Sequence, residues 1–245
     1  MAKDLLTPKL VSELNRFCPG CGHGLIGKII AQVLEERGVE DRAIQVYAVG
    51  CSCLISTVVQ ADSIQAQHGR APAVASGVRR ARPDAVVYTY QGDGDAAAIG
   101  LSESLYAAYR NENYTAIFVN NGVFGMTGGQ MAPTTLEGQK TATSIYGRDT
   151  SVTGQPFKLA ELVAQMPVAY VERCSLTDAK HIAQTKRAIG KAFDNQLAGK
   201  GYSFIEILSP CPTNWKMEPV DAYKRLQDIV AGEYKLGVLK DSEEE

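Results

Sequence analysis

The sequence predicts an α/β fold, a doubly wound and mostly parallel sheet with helices on both faces. Three observations lead there. Short β-rich apolar runs alternate with longer segments of helical period, the pattern of a sheet covered on both sides. The runs at 44–49, 85–90 and 114–119 carry almost no polar interruption, as strands buried on both faces require. No internal repeat, low-complexity linker or shift of composition divides the 245 residues, so one domain is expected over 1–245.

The elements follow in order. Leu25, Ile26, Ile29, Ile30, Val33 and Leu34 recur at i, i+4 and i+8, which makes a helix that Gly38 stops. Strand 44–49 comes next. Helices at about 71–81, which Pro72 can start, and 96–110 separate it from strands 85–90 and 114–119. The second half repeats the alternation: a helix near 159–166, a strand at 169–174, a long helix through 180–197, a strand at 203–208 and a last helix over 220–231. One stretch, from Gly122 to about Gln155, is rich in Gly, Thr and Pro and breaks the rhythm. A loop this long directly after a strand points to function rather than disorder.

Composition narrows the function. Lys+Arg 25 against Asp+Glu 27 gives a net charge of −2 with no basic stripe, which argues against nucleic acid. The only sizeable charge run is acidic, Ser242 to Glu245. No run approaches the roughly 18 apolar residues of a membrane span, and residues 1–8 lack a basic head followed by an apolar core. A cytoplasmic protein is expected. A chain of this size buries about 70% of its unfolded surface without disulfide staples. The six cysteines, Cys18, Cys21, Cys51, Cys53, Cys174 and Cys211, therefore need another explanation. In a reducing compartment the C-x-x-C pair Cys18 and Cys21 points to metal or redox chemistry.

The most informative segment is Gln91-Gly92-Asp93-Gly94-Asp95, between a strand and a helix. Ligands of open α/β sheets sit at the carboxyl ends of strands, and helix N-termini attract phosphate, so this is a candidate diphosphate site. Gly92, Gly94 and Ala97 also satisfy a loose G-x-G-x-x-A pattern, which raises a nicotinamide or flavin reading. Two features oppose it. A carboxylate between the glycines would repel a bare pyrophosphate, and the next strand ends in Asn120 and Asn121 where an acidic ribose reader belongs. A cation resolves both, because Mg²⁺ takes oxygen ligands and bridges protein to phosphate. Asp93 offers a carboxylate oxygen and Asn121, 28 positions later, an amide oxygen from the neighbouring strand end.

Gly-Asp-Gly followed at this distance by Asn-Asn resembles the thiamine-diphosphate motif. Further motifs sharpen the resemblance: Cys18-Pro19-Gly20-Cys21-Gly22-His23, Gly50-Cys51, His68-Gly69-Arg70-Ala71, Met126-Thr127-Gly128-Gly129-Gln130 and Ser209-Pro210-Cys211-Pro212-Thr213. In this order, over about 17–215, they resemble the β subunits of 2-oxoacid:ferredoxin oxidoreductases. The resemblance implies Asp93, Asn121 and the Val123 carbonyl as Mg²⁺ ligands, with Gly50, Gly92, Gly94 and Asp95 about the thiamine diphosphate. Thr127 and Gly128 would present a hydroxyl and amides to the diphosphate, or form a flexible lid. It also assigns Cys51 and Cys211, with Cys18 and Cys21, to a [4Fe-4S] cluster. Zinc is the rival occupant of four thiolates. Alternation in an extended segment would aim Cys53 the same way as Cys51, so one of the two is a spare. Cys174 reads as core packing and His181 as a helix-surface residue. His23 would cap or line the cluster, and Asn214 and Trp215 read as turn and packing residues. His68 and Arg70 are the expected catalytic residues, as cations for cofactor or substrate anions.

What the resemblance implies for function is the conversion of a 2-oxoacid, coenzyme A and oxidised ferredoxin into acyl-CoA, CO₂ and reduced ferredoxin. The motifs account only for the diphosphate half, so an α subunit carrying the aminopyrimidine-binding domain is expected. The sequence has no C-x₂-C-x₂-C-x₃-C run, so any further clusters belong to other subunits. The apolar segment after Cys51 favours a branched 2-oxoacid such as 2-oxoisovalerate, ahead of 2-oxoglutarate or pyruvate. A nicotinamide-dependent dehydrogenase and a noncatalytic zinc-stapled scaffold are the alternatives from other classes.

Overall fold

The computed structural model describes residues 7–243. Residues 1–6 of the start and Glu244 and Glu245 of the acidic run lie outside them. The elements in chain order are α1 (His23–Glu36), β1 (Ala43–Tyr47), β2 (Asp62–Gln65), α2 (Ala71–Ala81), β3 (Val86–Gly92), α3 (Leu101–Tyr109) and β4 (Thr115–Asn120). A short hairpin, β5 (Val123–Phe124) and β6 (Gln130–Met131), leads to α4 (Thr150–Thr153) and α5 (Leu159–Ala164). Then come β7 (Tyr170–Ser175), α6 (Ala179–Leu197), β8 (Ser203–Leu208), α7 (Pro212–Trp215), α8 (Pro219–Gly232) and β9 (Gly237–Asp241).

Seven strands form one sheet in the order β2-β1-β3-β4-β8-β7-β9. Every pairing is parallel except that of β9, which runs antiparallel to β7 with a bulge at Val171/Glu172. Alternate side chains feed two cores. Tyr88, Tyr90, Ile117 and Val119 pack with Ile26, Ile30 and Phe193 of α1 and α6. On the other face Val87, Phe118 and Phe204 pack with Ala75, Ala107 and Leu159 of α2, α3 and α5. The doubly wound reading therefore holds, and its physical basis is this two-sided burial.

The sheet order creates the site. From β1 the chain turns one way to β2, and from β3 it turns the other way to β4. The crevice between the carboxyl ends of β1 and β3 is the switch point at which open α/β sheets bind ligands.

Three readings are corrected. Strands β2 and β9 carry no unbroken apolar run because they are edges; all four residues of β2 are exposed. Strand β1 stops at Tyr47, and Cys51–Thr57 form a 3-10 helix entered through Gly50 at φ +99°, so Cys51 and Cys53 do not lie in an extended segment. The helix expected over 96–110 begins as a π-helical turn, Asp95–Ile99, and continues as α3 only after Gly100. At the junction the backbone runs against that of Gly69: a Cβ on Gly100 would stand 2.3 Å from the Gly69 carbonyl oxygen. The stretch 122–155, as an ordered segment, is built around one buried cation. Arg148, 5% exposed, donates to the carbonyls of Ala132, Pro133, Thr135, Thr153, Gly154 and Gln155.

Arg148→Met keeps the apolar stem and strands those carbonyls. We expect a loss of about 2–3 kcal/mol in denaturant unfolding, with faster proteolysis inside 133–155. An unchanged midpoint and cleavage pattern would show that the segment holds itself.

Candidate functional site

At the tip of β3, Asp93 is 2% exposed and joins two strand ends. In the β3–β4 register Gly92 lies opposite Val119, so the turn after β4 arrives beside Asp93. Asp93 Oδ2 accepts the amides of Asn121 (3.2 Å) and Gly122 (2.6 Å) and the Thr134 hydroxyl (2.7 Å), while Oδ1 accepts the Gly94 amide (2.8 Å). All these donors are neutral. Burial outweighs them and pushes the Asp93 carboxyl up to about 6. The Asn121 side-chain oxygen accepts the Val123 amide at 3.1 Å. Asn120 points elsewhere. It donates to Glu206 (2.8 Å), which pairs with buried Arg173 (2.8 Å). Of the asparagine pair, one member serves the site and the other anchors the strand end.

The same turn positions His68. Asp95 Oδ1 accepts the Gly69 amide (2.6 Å) and meets His68 Nδ1, and Oδ2 accepts the Gln91 amide nitrogen (2.5 Å). A carboxylate accepts, so the proton sits on Nδ1 and Nε2 is left available. Burial raises the Asp95 carboxyl, with the Gln91, Gly69 and His68 interactions opposing. Arg70 takes no part: it pairs with Glu103 (2.8 Å) and donates to the Ile99 carbonyl, so only one of the two expected catalytic cations reaches the cleft.

That cleft encloses about 550 Å³ of space open to solvent, and its walls include Gly50, Cys51, His68, Gly92, Asp93, Gly94, Asp95, Asn121, Val123 and Thr127. No Lys or Arg is among its lining residues. Gly128 lies outside it, on the groove beside Thr213 and Trp215. At Gly50 and Gly92 nothing lies within 4 Å of where a Cβ would stand. Their bare faces leave room for a ligand. Gly94 is glycine for another reason: the Phe124 ring would lie 2.3 Å from its Cβ.

Beside the cleft, Cys18, Cys21, Cys51 and Cys211 lie near enough to one another to interact electrostatically. Burial pushes the Cys21 thiol up to about 12, and Cys211, Cys51 and Cys18 push it further the same way. Cys51 is likewise raised to about 12 by burial, then by Cys211, Cys18, Cys53 and Asp93. Gly125 stands between two of them, since its Cβ would lie 3.0 Å from Cys51 Sγ and 3.9 Å from Cys211 Sγ. Cys53 is turned about 240° from Cys51 by the 3-10 geometry. Cys174 is buried in the core beneath α6, as expected. Among the described residues, no three His, Cys, Asp or Glu side chains are drawn together as on a single ion.

Some of the site escapes inspection of the motifs. His23 lines the cleft, and its amide serves the Cys21 sulfur; its ring is buried, stacks on Phe17 and meets the Tyr90 hydroxyl at 2.6 Å, and burial lowers it to about 4. Thr134 and Phe124 carry no motif signal. Trp215 Nε1 donates to the Asn121 carbonyl at 3.0 Å, so it ties the Cys211 loop to the diphosphate turn. His181 sits at the start of α6 against Thr177 and Asp178.

A strand-tip Gly-Asp-Gly turn locked to an asparagine turn, at the switch point of this sheet, defines the thiamine-diphosphate-binding class. Residues 48–207 match the family of the thiamine pyrophosphate enzyme C-terminal TPP binding domain. The ketoisovalerate oxidoreductase subunit VorA of Methanothermobacter thermautotrophicus is 46% identical over 229 residues, 93% of this chain and 48% of that one. The 2-oxoglutarate synthase subunit KorB of Archaeoglobus fulgidus is 35% identical over 212 residues, 86% of this chain and 75% of its own length. Among solved structures, a 2-oxoglutarate:ferredoxin oxidoreductase from Magnetococcus marinus, with 2-oxoglutarate, coenzyme A and succinyl-CoA bound, superposes with a TM-score of 0.79. It is 26% identical and is covered over 87% of its chain and 98% of this one. The chain belongs to the family of 2-oxoacid:ferredoxin oxidoreductase subunits. It spans about half the length of the ketoisovalerate relatives.

Gly94→Ala should cost about 1–3 kcal/mol by displacing Phe124. In thermal unfolding, the Gly94→Ala/Phe124→Ala pair should lose less than the sum of the single losses. Simple additivity would mean that the ring does not set the turn.

Proposed function

We propose that this chain is one thiamine-diphosphate-binding domain, the β subunit of a 2-oxoacid:ferredoxin oxidoreductase. It would act with an α subunit that supplies the aminopyrimidine-binding domain, and with coenzyme A and ferredoxin as co-substrates. The observation that carries the reading is Asp93: a buried carboxylate, held by neutral donors alone, at the joint of two strand tips.

The donors suit the groups required. Asp93, the Asn121 side chain and the Val123 carbonyl are hard oxygen donors of the kind Mg²⁺ takes. The bare faces of Gly50 and Gly92 give a diphosphate room to approach the backbone. Cys18, Cys21, Cys51 and Cys211 are soft donors whose mutual repulsion a [4Fe-4S] cluster would relieve. Thiamine diphosphate, when bound, supplies the carbanion chemistry that releases CO₂ from a 2-oxoacid. The chain's own work is to bind and orient. Asp95, itself held by Gln91, accepts the Nδ1 N–H and fixes the His68 ring at the cleft, so the neutral ring presents Nε2 there as a hydrogen-bond acceptor for a protonated group of the substrate or cofactor. Val49, Phe124 and Met126 make the remaining wall apolar.

The substrate we favour is 2-oxoisovalerate or a similar branched 2-oxoacid. Support comes from the absence of Lys and Arg from the cleft lining and from two relatives, at 46% and 44% identity, named for ketoisovalerate. Six free cysteines suit a reducing cytoplasm. Among the described residues no helix is long and apolar enough to cross a membrane.

Anaerobic preparation should give about four iron and four sulfide per chain; zinc without sulfide would sink the cluster reading. Asp93→Asn should weaken Mg²⁺-dependent thiamine diphosphate binding at least about tenfold, with iron and sulfide retained. Calorimetry showing unaltered affinity would refute the assignment. Gly92→Ala, which meets no protein atom, should keep its melting temperature and lose cofactor affinity. With the α subunit present, kcat/KM should be higher for 2-oxoisovalerate than for 2-oxoglutarate.

A further inference from the structure

One side chain touches both halves of the site and belongs to neither ligand set. Asn214 lies in α7, just past Cys211. Its Nδ2 donates to the Gly125 carbonyl at 2.9 Å and to Cys211 Sγ at 3.4 Å. Its Oδ1 packs on Gly129, whose Cβ would lie 2.8 Å away. Gly125 and Gly129 belong to the β5–β6 loop, closed by the Gly129 amide on the Phe124 carbonyl at 2.9 Å. From that same loop Met126 and Thr127 face the cofactor cleft. A primary amide has two N–H donors in fixed geometry, and here one is spent on the loop and the other on sulfur. The loop carbonyl therefore dictates where the sulfur-directed N–H points.

Hydrogen bonds to the sulfurs of an iron-sulfur cluster are among the levers that set its potential, because they stabilise the extra negative charge of the reduced form. We propose that Asn214 is a positioning residue through which the cofactor loop sets the electron affinity of the cluster at Cys211. When the Gly125 carbonyl holds the amide in place, the reduced cluster is favoured. When cofactor binding moves that carbonyl, the potential moves with it. This rests on the cluster reading above and adds to it a coupling between the two sites. Asn214 is not among the residues that line the cofactor cleft.

The test uses the holoenzyme. Asn214→Asp is isosteric and removes the donor; Asn214→Ala removes it without adding charge. Iron and sulfide content should stay at the wild-type level in both, while EPR-monitored redox titration gives a more negative midpoint, lowest for the aspartate. A tenfold fall in the reduced-to-oxidised ratio at fixed poise corresponds to about 59 mV for one electron. Adding thiamine diphosphate and Mg²⁺ should shift the wild-type midpoint and leave that of the variants in place. Should either variant lose its cluster, the native protein decides. With ¹⁵N-labelled asparagine, its reduced cluster should show a weak ¹⁵N coupling in pulsed EPR. A full cluster with an unmoved midpoint, or no coupling, overturns the proposal and leaves the cluster reading intact. Absence of iron and sulfide from the wild type overturns the cluster reading itself.

Discussion

Much of the structure around the cleft is arranged to hold one carboxylate out of water. A buried carboxylate is costly unless it is paired, and hydrogen bonds from neutral groups offset only part of that cost. Around Asp93 those groups come from three places: its own turn, the turn after β4, and Thr134 in the long segment. Each donor needs its own support. The β3–β4 register brings the Asn121–Gly122 amides. The Thr135 hydroxyl holds the Gly122 carbonyl at 2.6 Å, and the Tyr234 hydroxyl holds the Thr134 carbonyl at 3.2 Å. Arg148 then fixes the segment from behind. With this much of the fold converging on it, Asp93 still lies above the ordinary carboxylate range. The remaining imbalance is one that a bound cation removes and a further neutral donor does not.

The cysteine wall repeats the problem with sulfur. Thiols are not costly to bury, but thiolates are, and Cys51 and Cys211 both feel the negative charge of Asp93 across the Gly125 turn. Carboxylate and thiolates gathered at one sheet edge would repel one another, and burial with this repulsion keeps the Cys21 and Cys51 thiols protonated. A positive centre bound against either side of the shared wall would relieve it. Gly125 keeps that wall thin, and Trp215 and Asn214 bind its two ends.

The sequence exposes those parts of this design that depend on residue type. Buried parallel strands read directly as apolar runs, and the Gly-Asp-Gly and Asn-Asn turns mark the right tips because few residues suit a tight turn that aims an oxygen ligand out of a strand end. The edge strands β2 and β9 stay hidden since one has no buried face and the other pairs through a bulge. The 3-10 turn at Cys51 is invisible because its Cys-Ser-Cys-Leu-Ile run is as apolar as a strand. Arg70 misleads because adjacency to His68 in sequence says nothing of Glu103, which captures it from α3. Thr134 and Tyr234 act through single long-range hydrogen bonds, which no local pattern encodes.

Charge distribution around the cleft carries the argument one step further. The arginines near it are already committed, Arg70 to Glu103 and Arg148 to backbone carbonyls, so the lining keeps only two histidines: His23, buried against the Tyr90 hydroxyl, and His68, whose Nδ1 is fixed by Asp95. A cleft of this kind offers an anionic ligand backbone amides, and a cation if one is bound, rather than fixed lysines or arginines. One anionic head can be satisfied that way. A second carboxylate on the same molecule would find among these lining residues only Val49, Phe124 and Met126 and no cation to pair it, at the desolvation cost of an unpartnered charge. Any partner for such a group has to come from outside this lining, because the nearby arginines are already engaged.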